Sequence, residues 1–173
     1  MEENKLIELA IAGDKDAFCG LYGQYKDRLY RYAYYRLKDS AAAEDAVSDC
    51  VLSAWKSIGR LRSPGAFSSW IFRILQTVCS GRIRKIIEER EFLETVTGTE
   101  QEASPDPSDS VFLKEALDLL PDEDRDMVLL SVVAGLTSQE IGDLYEMPAG
   151  TVRSRLSRSL GKLRSFLEGS DHE

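Results

Sequence analysis

The sequence predicts an all-α protein of two small helical domains joined by a flexible linker, and three observations predict it. Apolar residues recur every three or four positions in stretch after stretch, the period of a helix that packs by one face. Turn-forming residues punctuate those stretches, at Gly13, Pro64-Gly65, Pro121 and Pro148. Residues 93–110, LETVTGTEQEASPDPSDS, are polar and acidic with two prolines. Such a segment buries too little to offset its own ordering entropy, so it predicts a linker between a domain at 1–92 and another at 111–173. It also predicts that the two domains have no fixed arrangement in the free protein.

The net charge of −8 is unevenly spread. Residues 1–92 hold 15 basic and 13 acidic side chains, residues 93–126 hold 2 and 11, and residues 127–173 hold 5 and 6. From Cys50 to Ile87 there is no acidic residue, against Lys56, Arg60, Arg62, Arg73, Arg82, Arg84 and Lys85. Each half therefore offers a basic surface, and local field matters more to nucleic acid than net charge does. No apolar run approaches the length of a membrane span, and the N-terminus has no signal-like character, so a soluble, cytoplasmic protein is expected. Cys19, Cys50 and Cys79 form no C-x-x-C pair and His172 is the single histidine. A metal site is not expected, nor any cofactor, and the cysteines are expected to be buried small hydrophobes in a reducing compartment.

In the first half, residues 4–12 predict a short helix stopped by Gly13. Asp14 can cap the next, from about Lys15 to Leu37, with Phe18, Leu21, Tyr22, Tyr25, Leu29 and Ala33 facing the core. Its tail, YRYAYYR, interleaves aromatics with Arg31 and Arg36. That pattern suits stacking on single-stranded bases, and equally tyrosines packed on a neighbouring helix with arginines reaching to water. Asp39 or Ser40 can cap a third helix to about Ile58. Its apolar stripe is Ala43, Ala46, Val47, Cys50, Val51, Ala54, Trp55 and Ile58, and its opposite face carries Glu44, Asp45, Ser48 and Asp49. After the LRSPGAF turn, a helix from about Ser68 to Ile87 is expected to bury Phe67, Ile71, Ile74 and Val78, with Trp70 flanking and Arg73, Gln76, Ser80 and Arg84 outward.

In the second half a helix is expected to end near Leu120, followed by another from about Asp122 to Ala134. Thr137 and Glu140 have the spacing of a capping box, which predicts a short helix from Ser138 to about Tyr145. Pro148 suits the first turn of a further helix. There Val152, Leu156, Leu160, Leu163 and Leu167 recur at intervals of 4, 4, 3 and 4, with Ser154, Arg158 and Ser165 opposite and Arg153 and Arg155 on the flanks. Between Met147 and Leu167 lie five basic residues and no acidic one. A short helix, a turn and a basic helix with serines in its exposed early part make a helix-turn-helix whose second helix can enter the major groove.

The string GTVRSRLSR resembles the promoter-reading region of bacterial sigma factors, in particular the extracytoplasmic-function group. Upstream, AAAEDAVSDCVLSAWKSI resembles that family's polymerase-docking helix, close to AEDLVQETFLRAW, with Ser48 where a longer glutamine is usual. Trp70-Ile71-Phe72-Arg73-Ile74 resembles its W-L-x-R-I segment, with Thr77 and Gly81 where asparagine and aspartate are usual. Leu119-Leu120-Pro121, Arg125, Leu129, Leu130 and Gly135-Leu136-Thr137 match its L-P-x-x-x-R…L-L…G-L-S/T frame, while Glu146 stands where glycine is frequent. A φ above zero there would strain Glu146.

The resemblance covers roughly residues 13–165 and implies a sigma factor, not an enzyme. It would bind core RNA polymerase through Asp45, Ser48 and Asp49. It would melt and hold the −10 element with Arg62, Ser63, Phe67, Trp70, Arg73, Gln76 and Thr77. It would read the −35 duplex with Thr151, Arg153, Ser154, Arg155, Ser157 and Arg158. Core polymerase, promoter DNA and an anti-sigma factor are the partners it implies. Two other classes stay open: a stand-alone helix-turn-helix regulator that binds duplex DNA without polymerase, and a module whose basic faces bind an acidic protein.

Overall fold

The computed structural model describes residues 2–98 and 110–170. Among them run eight α-helices and no strand: α1 (Glu3–Ile11), α2 (Lys15–Leu37), α3 (Ser40–Ser57), α4 (Phe67–Thr97), α5 (Ser110–Asp118), α6 (Asp122–Val132), α7 (Ser138–Tyr145) and α8 (Ala149–Ser170). Helices α1 to α4 form one bundle and α5 to α8 the other. No described helix is long and apolar enough to cross a membrane, and the described residues bring together no cluster suited to a metal.

Local chemistry sets the helix starts. Asp14 and Asp39 accept from the amides of Ala17 and Ala42 at the heads of α2 and α3. Thr137 and Glu140 form the expected capping box at the head of α7. The chain leaves α6 through Gly135 at φ +75°, and the amide of Leu136 reaches back to the carbonyl of Leu130 at 2.9 Å. Arg125 donates to the carbonyls of Leu117 and Leu120 at 3.0 and 3.1 Å, bracing the chain as it leaves α5. The L-P-x-x-x-R frame is therefore a helix–turn–helix corner held by its arginine.

The first bundle buries Leu21, Tyr25, Leu29, Tyr32 and Ala33 of α2 against Ala43, Ala46, Cys50 and Ala54 of α3 and Phe67, Ile71, Phe72, Leu75 and Cys79 of α4. Phe67 meets Tyr25 edge-on, and Phe72 meets Tyr32 likewise. The second bundle buries Leu120, Met127, Leu130, Ala134, Ile141, Val152, Leu156 and Leu163.

Several expectations are corrected. Tyr22 is exposed, and Tyr32 takes a buried place the sequence did not assign it. On α4, Phe67 and Ile71 are buried as expected, but the stripe continues through Phe72, Leu75 and Cys79, leaving Ile74 and Val78 half-buried. Both α2 and α3 press on that side. On α8, Leu160 and Leu167 are exposed while Ser159 is buried, because α5 and α6 cover only a narrow strip. Cys19 is exposed; Cys50 and Cys79 are buried. Helix α4 continues to Thr97, so residues 93–97 of the expected linker are helical, and residues 99–109 lie outside the described residues.

Candidate nucleic-acid interface

The helix-turn-helix is α7, a three-residue turn and α8. Its two helices approach closely at Gly142, where a Cβ would stand 2.6 Å from the carbonyl oxygen of Met147. Only glycine fits there. The chain reverses at Glu146, which adopts φ +54°, so the conditional strain at this position is realised. The carbonyl of Pro148 then accepts from Thr151 and Val152 as α8 begins. Proline sits one residue ahead of the helix and not within its first turn.

From that start, Val152 and Leu156 point into the core, and Thr151, Arg153, Ser154, Ser157 and Arg158 stand exposed together. Arg155 does not join them. Its guanidinium donates to Glu123 at 2.6 Å and to Asp124 at 2.7–2.8 Å, both at the head of α6. The hydrogen bond to Glu123 leads in raising its pKa. Arg155 ties α8 to α6.

The outer face of α3 presents Glu44, Asp45, Ser48 and Asp49 to solvent, as expected. Asp49 is paired with Arg82 of α4, so the neighbouring helix holds this carboxylate in place.

The expected −10 residues divide into three groups. Arg62, Ser63 and Thr77 are exposed, and Trp70 is half-buried against Phe67. Phe67 itself is 1% exposed and belongs to the core, so it has no face for DNA. Arg73 and Gln76 are turned toward the second bundle. Arg73 donates to the carbonyl of Asp143 at 3.5 Å, and Gln76 donates to Asp126 at 2.6 Å and to the Tyr145 hydroxyl at 3.2 Å.

Asp126 is the residue that sequence reasoning missed. It is 1% exposed and accepts from Tyr32 and Gln76 of the first bundle and from Tyr145 of its own, while Arg36 lies 3.0 Å away. Burial beside this carboxylate drives the pKa values of Tyr32 and Tyr145 upward. On the same side of α2, Arg28 donates to the carbonyl of Ala134 at 3.3 Å. Arg28, Tyr32 and Arg36 are spaced four apart, a ladder on one helix face that was a readable signal. The YRYAYYR tail accordingly serves packing at Tyr32 and Arg36. The two bundles are thus joined, contrary to the expectation of no fixed arrangement.

This architecture can be set beside known proteins. A family model described as Sigma-70 region 2 matches residues 21–86, and one described as Sigma-70, region 4 matches residues 113–163. The ECF RNA polymerase sigma factor SigW of Bacillus subtilis (strain 168) is 30% identical, over 94% of this chain and 95% of its own. The structure of CnrH in complex with the cytosolic domain of CnrY shares the fold at a TM-score of 0.73 and 21% identity, over 96% of this chain and 97% of that one. So does the sigma factor RpoE of Bartonella quintana, solved with the anti-sigma factor NepR, at a TM-score of 0.73 and 24% identity over 90% and 98%. With both sigma regions in order and a sigma factor matched along nearly its whole length, the chain belongs to the ECF RNA polymerase sigma factors.

Proposed function

We propose that this sigma factor docks on core RNA polymerase by the outer face of α3, opens the −10 element with the 62–66 loop and α4, and reads the −35 duplex with the early part of α8. Residues 1–92 form the unit for docking and melting, and residues 111–173 the unit for −35 reading. One observation carries the reading. Thr151, Arg153, Ser154, Ser157 and Arg158 are exposed on the first turns of a helix whose buried side and tight turn fix it against α7. A helix fits the major groove with its N-terminal residues at the base edges, and arginine can bind guanine by two hydrogen bonds. An extruded base exposes its full hydrogen-bonding edge, which suits Trp70 and Thr77 beside the basic surface of α4. Since CnrH and RpoE are solved with protein partners, an anti-sigma factor is proposed as a further partner of this chain.

Two measurements test this. Arg158→Ala should weaken binding to a specific −35 duplex by about 1–3 kcal/mol and relax preference at one base position. An equal loss on every sequence would remove Arg158 from base reading. Charge reversal at both Asp45 and Asp49 should abolish co-purification with core polymerase and leave helical content unchanged. Near-normal assembly of that variant would sink the docking assignment.

A further inference from the structure

Two exposed glycines of α8 weaken the helix and serve nothing inside the protein. Glycine in a helix loses more backbone freedom on folding than alanine does and is correspondingly destabilising. At Gly142 the fold requires it, because backbone stands where a Cβ would go. Gly150 is different. It is exposed, its φ is not positive, and a Cβ there would meet only the tip of the Arg153 side chain, Nη2 at 3.8 Å, an ordinary contact. Gly161 is likewise exposed, and a Cβ there would meet nothing within 4 Å.

At about 100° per residue, Gly150 lies opposite Val152, Leu156, Ser159 and Leu163, the buried side of α8. Exposed Arg153 and Arg158, assigned above to the −35 duplex, stand on either side of it. Gly150 is therefore the point of the first turn nearest to anything the helix is laid against. A helix with its side chains is about 10–12 Å across and the major groove about 12 Å wide, so what projects toward the duplex sets how deep the axis can sit. A methyl at position 150 would hold the axis off and lengthen the hydrogen bonds of both arginines. Gly161 faces the same way, but about three turns and 16 Å further along, clear of the early part that enters the groove.

We propose that Gly150 is a positioning residue for promoter recognition. Its missing side chain lets the backbone of α8 rest against the −35 duplex and brings Arg153 and Arg158 to the base edges. The inference rests on the −35 reading of α8 and adds to it a position that acts by having no side chain.

The test uses the full chain, with Gly150→Ala, Gly161→Ala and Arg158→Ala compared in thermal unfolding and in binding to a −35 duplex. Alanine at either glycine should hold the unfolding midpoint or raise it by up to about 2–4 °C. Gly150→Ala should nevertheless weaken binding about 5-fold or more, the low end of what an extra methylene costs in a close-packed contact. Gly161→Ala should leave binding unchanged. A firmer helix with poorer binding is an outcome that a purely structural glycine would not give. Unchanged binding in Gly150→Ala, beside a loss in Arg158→Ala, would overturn the close approach and leave the −35 reading standing. An equal loss in Gly161→Ala would overturn it too, by tracing the effect to the helix and not to the duplex. So would a lowered midpoint in Gly150→Ala, which would show that the fold needs this glycine. No loss in either Arg158→Ala or Gly150→Ala would remove α8 from promoter reading, and the inference with it.

Discussion

The two cores and the seam between them are all buried, yet they are built from different residues. Inside the bundles, Leu29 and Leu130 are fully buried in apolar cores. Between the bundles, the central groups are a carboxylate, a guanidinium, an amide and two phenols. Apolar burial is nondirectional and is lost only by exposing hydrocarbon to water. Polar pairing is directional and can be exchanged for water, the usual character of an interface whose sides must part. Apolar burial and polar pairing thus fall on separate surfaces of one chain.

The largest expected effect is in the cores. Leu130→Ala should destabilise the second bundle by about 2–5 kcal/mol in thermal or urea unfolding. A loss near that of an exposed leucine would mean that the core is not what holds α6. Next comes Gly142→Ala, whose added methyl would meet backbone at 2.6 Å. It should cost about 1–3 kcal/mol and weaken −35 binding by shifting α8, with docking to polymerase unaffected. Smaller and opposite in sign, Glu146→Gly should stabilise by about 1 kcal/mol, because glycine adopts this positive φ without penalty. No gain would show that the turn carries no strain.

Burial pushes the Cys50 and Cys79 thiols from 9.0 up to about 12, and burial with the Glu3 hydrogen bond takes Tyr25 from 10.0 to about 12. Each group is neutral in the folded protein and ionises more readily once unfolded. Their contribution is therefore complete below the unfolded values and lost as pH rises from about 9 to 12. Urea midpoints should fall across that window. At pH 8 a thiol reagent should modify Cys19 and spare the other two, and equal reactivity of all three would contradict their burial.

How much of this was legible in the chain depended on distance along it. Helix starts were legible because caps are local: Asp14, Asp39 and Thr137 act within three residues. The end of α4 was not, because nothing between Gly81 and Thr97 stops a helix rich in Glu, Arg and Lys, and the stop comes at Gly98 in a left-handed conformation. Which of two adjacent stripes on α4 faces inward is decided by α2 and α3, not by spacing. For the candidate site, the exposed side of α8 follows from helical period alone, whereas Arg155 is diverted by acids some thirty residues upstream. Asp126 was hidden as one more acid in DEDRD at a helix head, and its meaning comes from Tyr32, 94 residues away.

The seam, being polar, is expected to open while the cores persist when the protein binds core RNA polymerase. The direct measurement is the distance between labels on Cys19 and Ser165→Cys before and after core RNA polymerase is added. A short, narrow distribution that becomes long on binding, at constant helical content, is the expected result. A distance that stays short in the assembled complex would contradict it, because the bundles would then act on polymerase as one closed unit.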